Sequence, residues 1–196
     1  MSVQTPNGAE FSIAAKILVC AGRVLPPGSG MFSWTSPTGE RVSFKTLAET
    51  LVITELDWLV EAGYAQIWEA GRKQIIGTMQ VLMVRAVHSQ APGFGTRFLE
   101  ATGWVDTDLY ELNRRLMGGS SESPMHGIIE AVADEYRRAG VLHGTAWDPA
   151  WRDYLVAQWG REAWDAVQRT NALPWREVAR RNVNMASGSL VQRDDD

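Results

Sequence analysis

A chain of 196 residues, 45% apolar and 21% charged, is long enough for one domain or two small ones and too rich in apolar side chains to stay disordered. Its 19 basic and 23 acidic residues leave a net charge of −4, and neither half carries the basic excess of a protein that wraps nucleic acid: residues 1–98 hold 8 and 7, residues 99–196 hold 11 and 16. A single cysteine, Cys20, excludes an intrachain disulfide framework and fits a reducing, cytoplasmic compartment.

The first eight residues read as a polar lead, with Asn7 capping a helix over residues 9–21 that Gly22 ends. The apolar run Ile13–Ala21 is interrupted by Lys16 and is too short to cross a bilayer. Two prolines and two glycines make residues 25–30 a loop. Residues 31–35 and 40–44 are aromatic or β-branched enough to pair as a small hairpin around Ser36-Pro37-Thr38-Gly39.

Residues 46–62 repeat apolar side chains at Leu47, Leu51, Val52, Leu56, Leu59 and Val60, a helical stripe closed by Gly63. A strand at 64–69, a turn at Ala70-Gly71-Arg72-Lys73 and a second strand at 74–84 follow, with Ile75, Met79, Val81 and Met83 on one face. Helix, strand, basic turn, strand is the order of the last helix and wing of a winged-helix module. Residues 1–90 therefore read as an N-terminal αβ part.

Ala91-Pro92-Gly93-Phe94-Gly95 breaks the pattern and marks a seam to a helical part at 91–185. A short helix at 96–101 precedes one capped by Asp106 or Asp108, with Leu109, Leu112 and Leu116 on one face and Gly118-Gly119 at its end. Ser123-Pro124 starts a helix striped by Met125, Ile128, Ile129, Val132 and Tyr136 and closed by Gly140. Asp148-Pro149 repeats that start, and Trp151, Leu155 and Trp159 share a face. Pro174 opens a last helix at 175–181, and residues 186–196 read as a flexible tail.

The three histidines, His88, His126 and His143, have no metal-ligand spacing, and no Gly-x-Ser-x-Gly elbow occurs. Gly93-Phe94-Gly95-Thr96 stops short of a phosphate loop. The carboxylate pairs Asp106/Asp108 and Asp134/Glu135 fit helix starts or solvated faces, and Asp57 reads as a surface charge. No catalytic, metal or cofactor-binding residue is expected.

Two kinds of residue remain as contacts for a ligand or partner. Arg72 and Lys73 at a hairpin tip, with Trp68 beside them, could meet phosphate. Arg114-Arg115 and Arg137-Arg138 are explained by helix C-termini. Nine tryptophans are many for this length, and five of them, Trp147, Trp151, Trp159, Trp164 and Trp175, fall near the C-terminus. Most suit a core; Trp164 and Trp175 are the candidates for a partner surface.

The order of elements, with Thr46-Leu47-Ala48-Glu49, Glu61-Ala62-Gly63-Tyr64, Leu116-Met117-Gly118, Arg138-Ala139-Gly140-Val141-Leu142 and Asp148-Pro149, resembles the Golgi phosphoprotein three family over residues 46–158. That resemblance implies a helix-rich, non-catalytic protein that reads phosphorylated lipid head groups through an aromatic and basic pocket. Where the family has a basic, proline-containing loop, this chain has His143-Gly144-Thr145-Ala146-Trp147. The expected fold is mainly α with a small β-hairpin, a winged-helix-like αββ unit followed by a helical C-terminal part. The expected function is that of a binding or adaptor protein, cytoplasmic or peripheral at an anionic membrane surface, with a protein partner. The alternative is a winged-helix DNA-binding transcriptional regulator.

Overall fold

The computed structural model describes residues 10–28, 33–73, 77–117 and 124–191. The described residues form seven helices and three small sheets, a mainly helical α+β fold: α1 Ile13–Val24, β1 Ser33–Thr35, β2 Arg41–Ser43, α2 Phe44–Glu61, β3 Ala65–Lys73, β4 Thr78–Ala86, α3 Phe94–Glu100, β5 Thr107–Asp108, α4 Leu109–Met117, α5 Pro124–Arg138, β6 Leu142–His143, β7 Ala146–Trp147, α6 Pro149–Asn171 and α7 Arg176–Val191. Among them no helix is long and apolar enough to cross a membrane. The expected Asn7, Ile75, Gly118-Gly119 and Ser123 features lie outside the described residues.

α2 is the central rod. Leu47, Leu51, Val52, Leu56 and Leu59 are buried, and so are Ile53, Thr54, Glu55 and Asp57 on other sides of the same helix. Such burial needs neighbours all round, and α1, α5, α6, α7 and β3 supply them. α1 also packs along α6, and α4 along α7, so one core runs through elements on both sides of the 91–95 seam.

Several boundaries follow local chemistry as expected. Gly63 and Gly140 take φ of +80° and +71° behind α2 and α5, where a side chain would be strained. Asp148 accepts from the Trp151 N–H at 3.0 Å with Pro149 in the first turn. The stripe of α5 is buried throughout, from Met125 to Tyr136.

Others differ. α1 is capped by Ser12 and runs through Gly22 to Val24. Within that helix Gly22 passes close over the β1–β2 turn, where a Cβ would collide with the Glu40 carboxylate. α7 continues ten residues past the expected Arg181, to Val191, so residues 186–191 are helical rather than tail. Its buried side is Val178, Ala179, Asn182, Val183 and Ala186, an i, i+3/i+4 row interrupted only by an asparagine.

The largest correction concerns the αββ unit. Ala70–Lys73 are not a turn: β3 runs to Lys73, which pairs with Thr78, and Gly77 just before β4 takes φ +85°. Arg72 is thereby a strand residue. Its guanidinium binds Asp108 Oδ2 at 2.9 Å and covers the Tyr110 ring at 4.9 Å, contacts that hold β3 extended toward the start of α4.

Candidate functional site

The five residues picked out by the sequence do not converge. Trp68, 37% exposed, lies on β3 beneath the Arg85 guanidinium, 5.3 Å from its ring centre. Arg85 in turn binds Asp106 Oδ1 at 2.6 Å. Arg72 is held by Asp108, and Lys73 is exposed at the end of the strand. Trp164 stands 47% exposed on α6, whereas Trp175 is half-buried against the core ahead of α7.

Glu135 and Asp57, expected on solvated surfaces, are interior, and so is Glu55. Glu135 accepts from the Ser12 N–H (3.0 Å), from the Ser12 hydroxyl and from the Phe94 N–H (2.7 Å). It ties the first turns of α1 and α3 to α5, using the donors that a helix start leaves unpaired. Glu55, with no exposed surface, accepts from the Ala14 N–H at 3.1 Å, and its other oxygen has no partner. Gly93 and Gly95 make this approach possible: a Cβ on Gly93 would strike the Glu135 carboxylate, and one on Gly95 would sit 2.8 Å from Glu55 Oε1. Burial raises both acids, Glu55 to about 8, against the opposing pull of their N–H donors. Asp57 is also buried and binds Arg169 Nε at 2.8 Å. These acids hold the frame, and Glu55 is sealed from any substrate.

A surface site forms elsewhere. A cleft of about 530 Å³ opens between the β1–β2 turn, the outer face of α5, the β6–β7 hairpin and the start of α6. Trp34 and Trp147 supply indole walls, Arg137 and Arg152 guanidinium groups, and Ser36 and Thr145 hydroxyls. The turn is fixed by the Ser36 hydroxyl, which donates to Glu40 at 2.8 Å, and by Gly39 at φ +96°. Trp147 is fixed by an edge contact with the buried Tyr136 ring, 4.7 Å between centres. Tyr136 itself donates to the Ala15 carbonyl at 2.7 Å, so one wall of the cleft is anchored in the core.

The two arginines differ in what they can still do. Arg137 is consumed locally, binding Glu130 and Asp134 and reaching the Gly144 carbonyl, so it clamps the β6–β7 hairpin to α5. Arg152 binds Asp153 through Nε and makes one long contact of 3.4 Å to the Pro37 carbonyl. Most of its fork remains for a ligand. On the far side of Arg137 a second groove of about 510 Å³ gathers Arg97 and Arg138 against Glu100 and Asp134. Among the described residues no His, Cys, Asp and Glu grouping could hold a metal ion.

The sequence signal for this cleft was present but indirect. Trp34 stands two residues before the Ser36–Gly39 turn, and Trp147 immediately before Asp148-Pro149. Nothing in the chain order pairs the two. Family models, curated proteins and solved structures offer no match to this chain.

Proposed function

We propose that this chain is a non-catalytic binding protein, an adaptor that seats an anionic head group in the Trp34–Trp147 cleft and thereby attaches to a membrane surface. The observation that supports this reading is the meeting, in one open cleft, of two indole walls and the underused Arg152 fork, with the Thr145 hydroxyl beside them. An aromatic wall takes the apolar face of a ring or glycerol backbone, and a guanidinium takes an oxyanion in bidentate geometry. Glu130, which also lines the cleft, is paired with Arg137, and that pairing offsets its repulsion of an anion. Trp164, exposed on α6, is where a protein partner of the adaptor would be sought.

Flotation with vesicles tests this reading. Vesicles carrying a phosphorylated inositol lipid should enrich the chain over neutral phosphatidylcholine vesicles, and Arg152→Ala and Trp147→Ala should each remove most of the enrichment. Equal recovery on both vesicle types would remove the membrane function.

The alternative, a winged-helix DNA-binding regulator, draws less support. Its recognition helix would be α2, which is buried around its circumference and has no face to lay in a groove. Its wing would carry Arg72, which is bound to Asp108. A gel shift against mixed duplex DNA at low salt is the discriminating measurement, since DNA binding would fall steeply with added salt.

A further inference from the structure

The sheet β3–β4–β5 is finished on one side and open on the other. Just before β3 the Tyr64 carbonyl accepts from the Val87 N–H at 2.8 Å, and the register pairs Ala65 with Ala86. Residues 66, 68, 70 and 72 therefore turn their backbone groups toward β4, and Ile67, Glu69, Gly71 and Lys73 turn theirs outward. On the far side of β4, β5 pairs with Met83 and Val84, and beyond it the Asn182 side chain accepts from the Leu82 N–H (2.9 Å) and donates to the Gln80 carbonyl (3.1 Å). That edge is filled. Among the described residues no strand lies beyond β3, and Glu69, Gly71 and Lys73 are exposed.

We infer that two copies of this chain join through the outer edge of β3, antiparallel, about a twofold axis at Gly71. Opposed residues in an antiparallel pair project to the same face, so a twofold axis can oppose only positions of equal parity. Glu69 and Lys73 meet that condition. They stand two residues either side of Gly71, both exposed, on one face. The axis sets each glutamate against the second copy's lysine and brings the strands together at the residue with no side chain. The outward groups of residues 69, 71 and 73 then form about six backbone hydrogen bonds between the copies.

A lysine on an open edge ordinarily repels another strand. Here the symmetric position holds a glutamate, so self-pairing is attractive while most other strands meet an uncompensated charge. The joint lies on a different element from the head-group cleft and does not depend on it.

Sedimentation velocity of the full chain between about 1 and 100 µM reads the outcome. A concentration-dependent dimer is expected. Glu69→Lys and Lys73→Glu should each raise its dissociation constant about tenfold, because each sets two like-charge pairs face to face, and the double swap should restore it. Glu69→Pro should abolish the dimer, since its N–H points away from β4 and its loss spares the β3–β4 ladder. Arg152→Ala should leave the dimer unchanged. A monomer at every concentration, or a dimer indifferent to both single swaps, would overturn the proposal.

Discussion

Glu135 receives the backbone N–H and the hydroxyl of Ser12, a residue 123 positions earlier in the chain, and with the Phe94 N–H it fills both of its oxygens. A single carboxylate thus terminates two helices from a third.

Removing that group strands three donors in an interior site. Glu135→Ala should lower unfolding free energy by about 4 kcal/mol, read as an earlier urea midpoint at unchanged slope. Glu135→Gln keeps one acceptor oxygen and should cost about half as much. Equal losses for the two would mean that packing volume rather than hydrogen bonding carries the effect.

Glu55 makes stability depend on pH in an unusual direction. Its pKa rises from 4.5 to about 8 on folding, so the folded state holds a proton that the unfolded state releases. The stabilising contribution is complete below about pH 4.5 and is lost as pH climbs to about 8, with a limiting slope of about 1.4 kcal/mol per pH unit. Glu49, Asp57 and Glu135 are raised by burial too and act with the same sign. The difference between the parent chain and Glu55→Gln isolates Glu55: the variant should gain relative stability as pH goes from 5 to 8. A constant difference across that window would count against the assignment.

Cys20 sits in α1 with no exposed surface, and burial pushes its thiol up to about 12. A chromogenic disulfide reagent should leave it unmodified in buffer at pH 8 and label it fully once urea unfolds the chain. Prompt labelling of the native chain would show that α1 opens locally.

Trp104 is the sole described residue other than glycine with positive φ, +61°, and the residue is 53% exposed. Little packing offsets that backbone strain. Trp104→Asn should raise stability by about 1 kcal/mol, seen as a higher melting temperature. A lower one would show that the indole packs in solution.

Elements with local signatures were legible in the sequence, and residues defined by remote partners were not. α5 shows in its stripe because all five apolar residues face one core, and Asp148-Pro149 shows because a cap acts over three residues. Glu135, Glu55 and Asp57 look like surface charges because the N–H groups and the arginine that satisfy them lie far away along the chain. Ala70-Gly71-Arg72-Lys73 has the composition of a turn, yet Asp108, 36 residues on, draws Arg72 into a strand. Asn182 hides the length of α7 in the same way, since a polar residue in an apolar row reads as its end until its hydrogen bonds to β4 are seen. The cleft joins Trp34 to Trp147 across more than a hundred residues, and only the fold brings them together.

The reach from Ser12 to Glu135 also bears on exchange with solvent. The Ser12 and Phe94 amides lie at helix starts, where protons ordinarily exchange fast, yet here both are bonded to an interior carboxylate of another helix. Their protection therefore tracks the docking of α5 against α1 and α3 instead of the fraying of those helix ends.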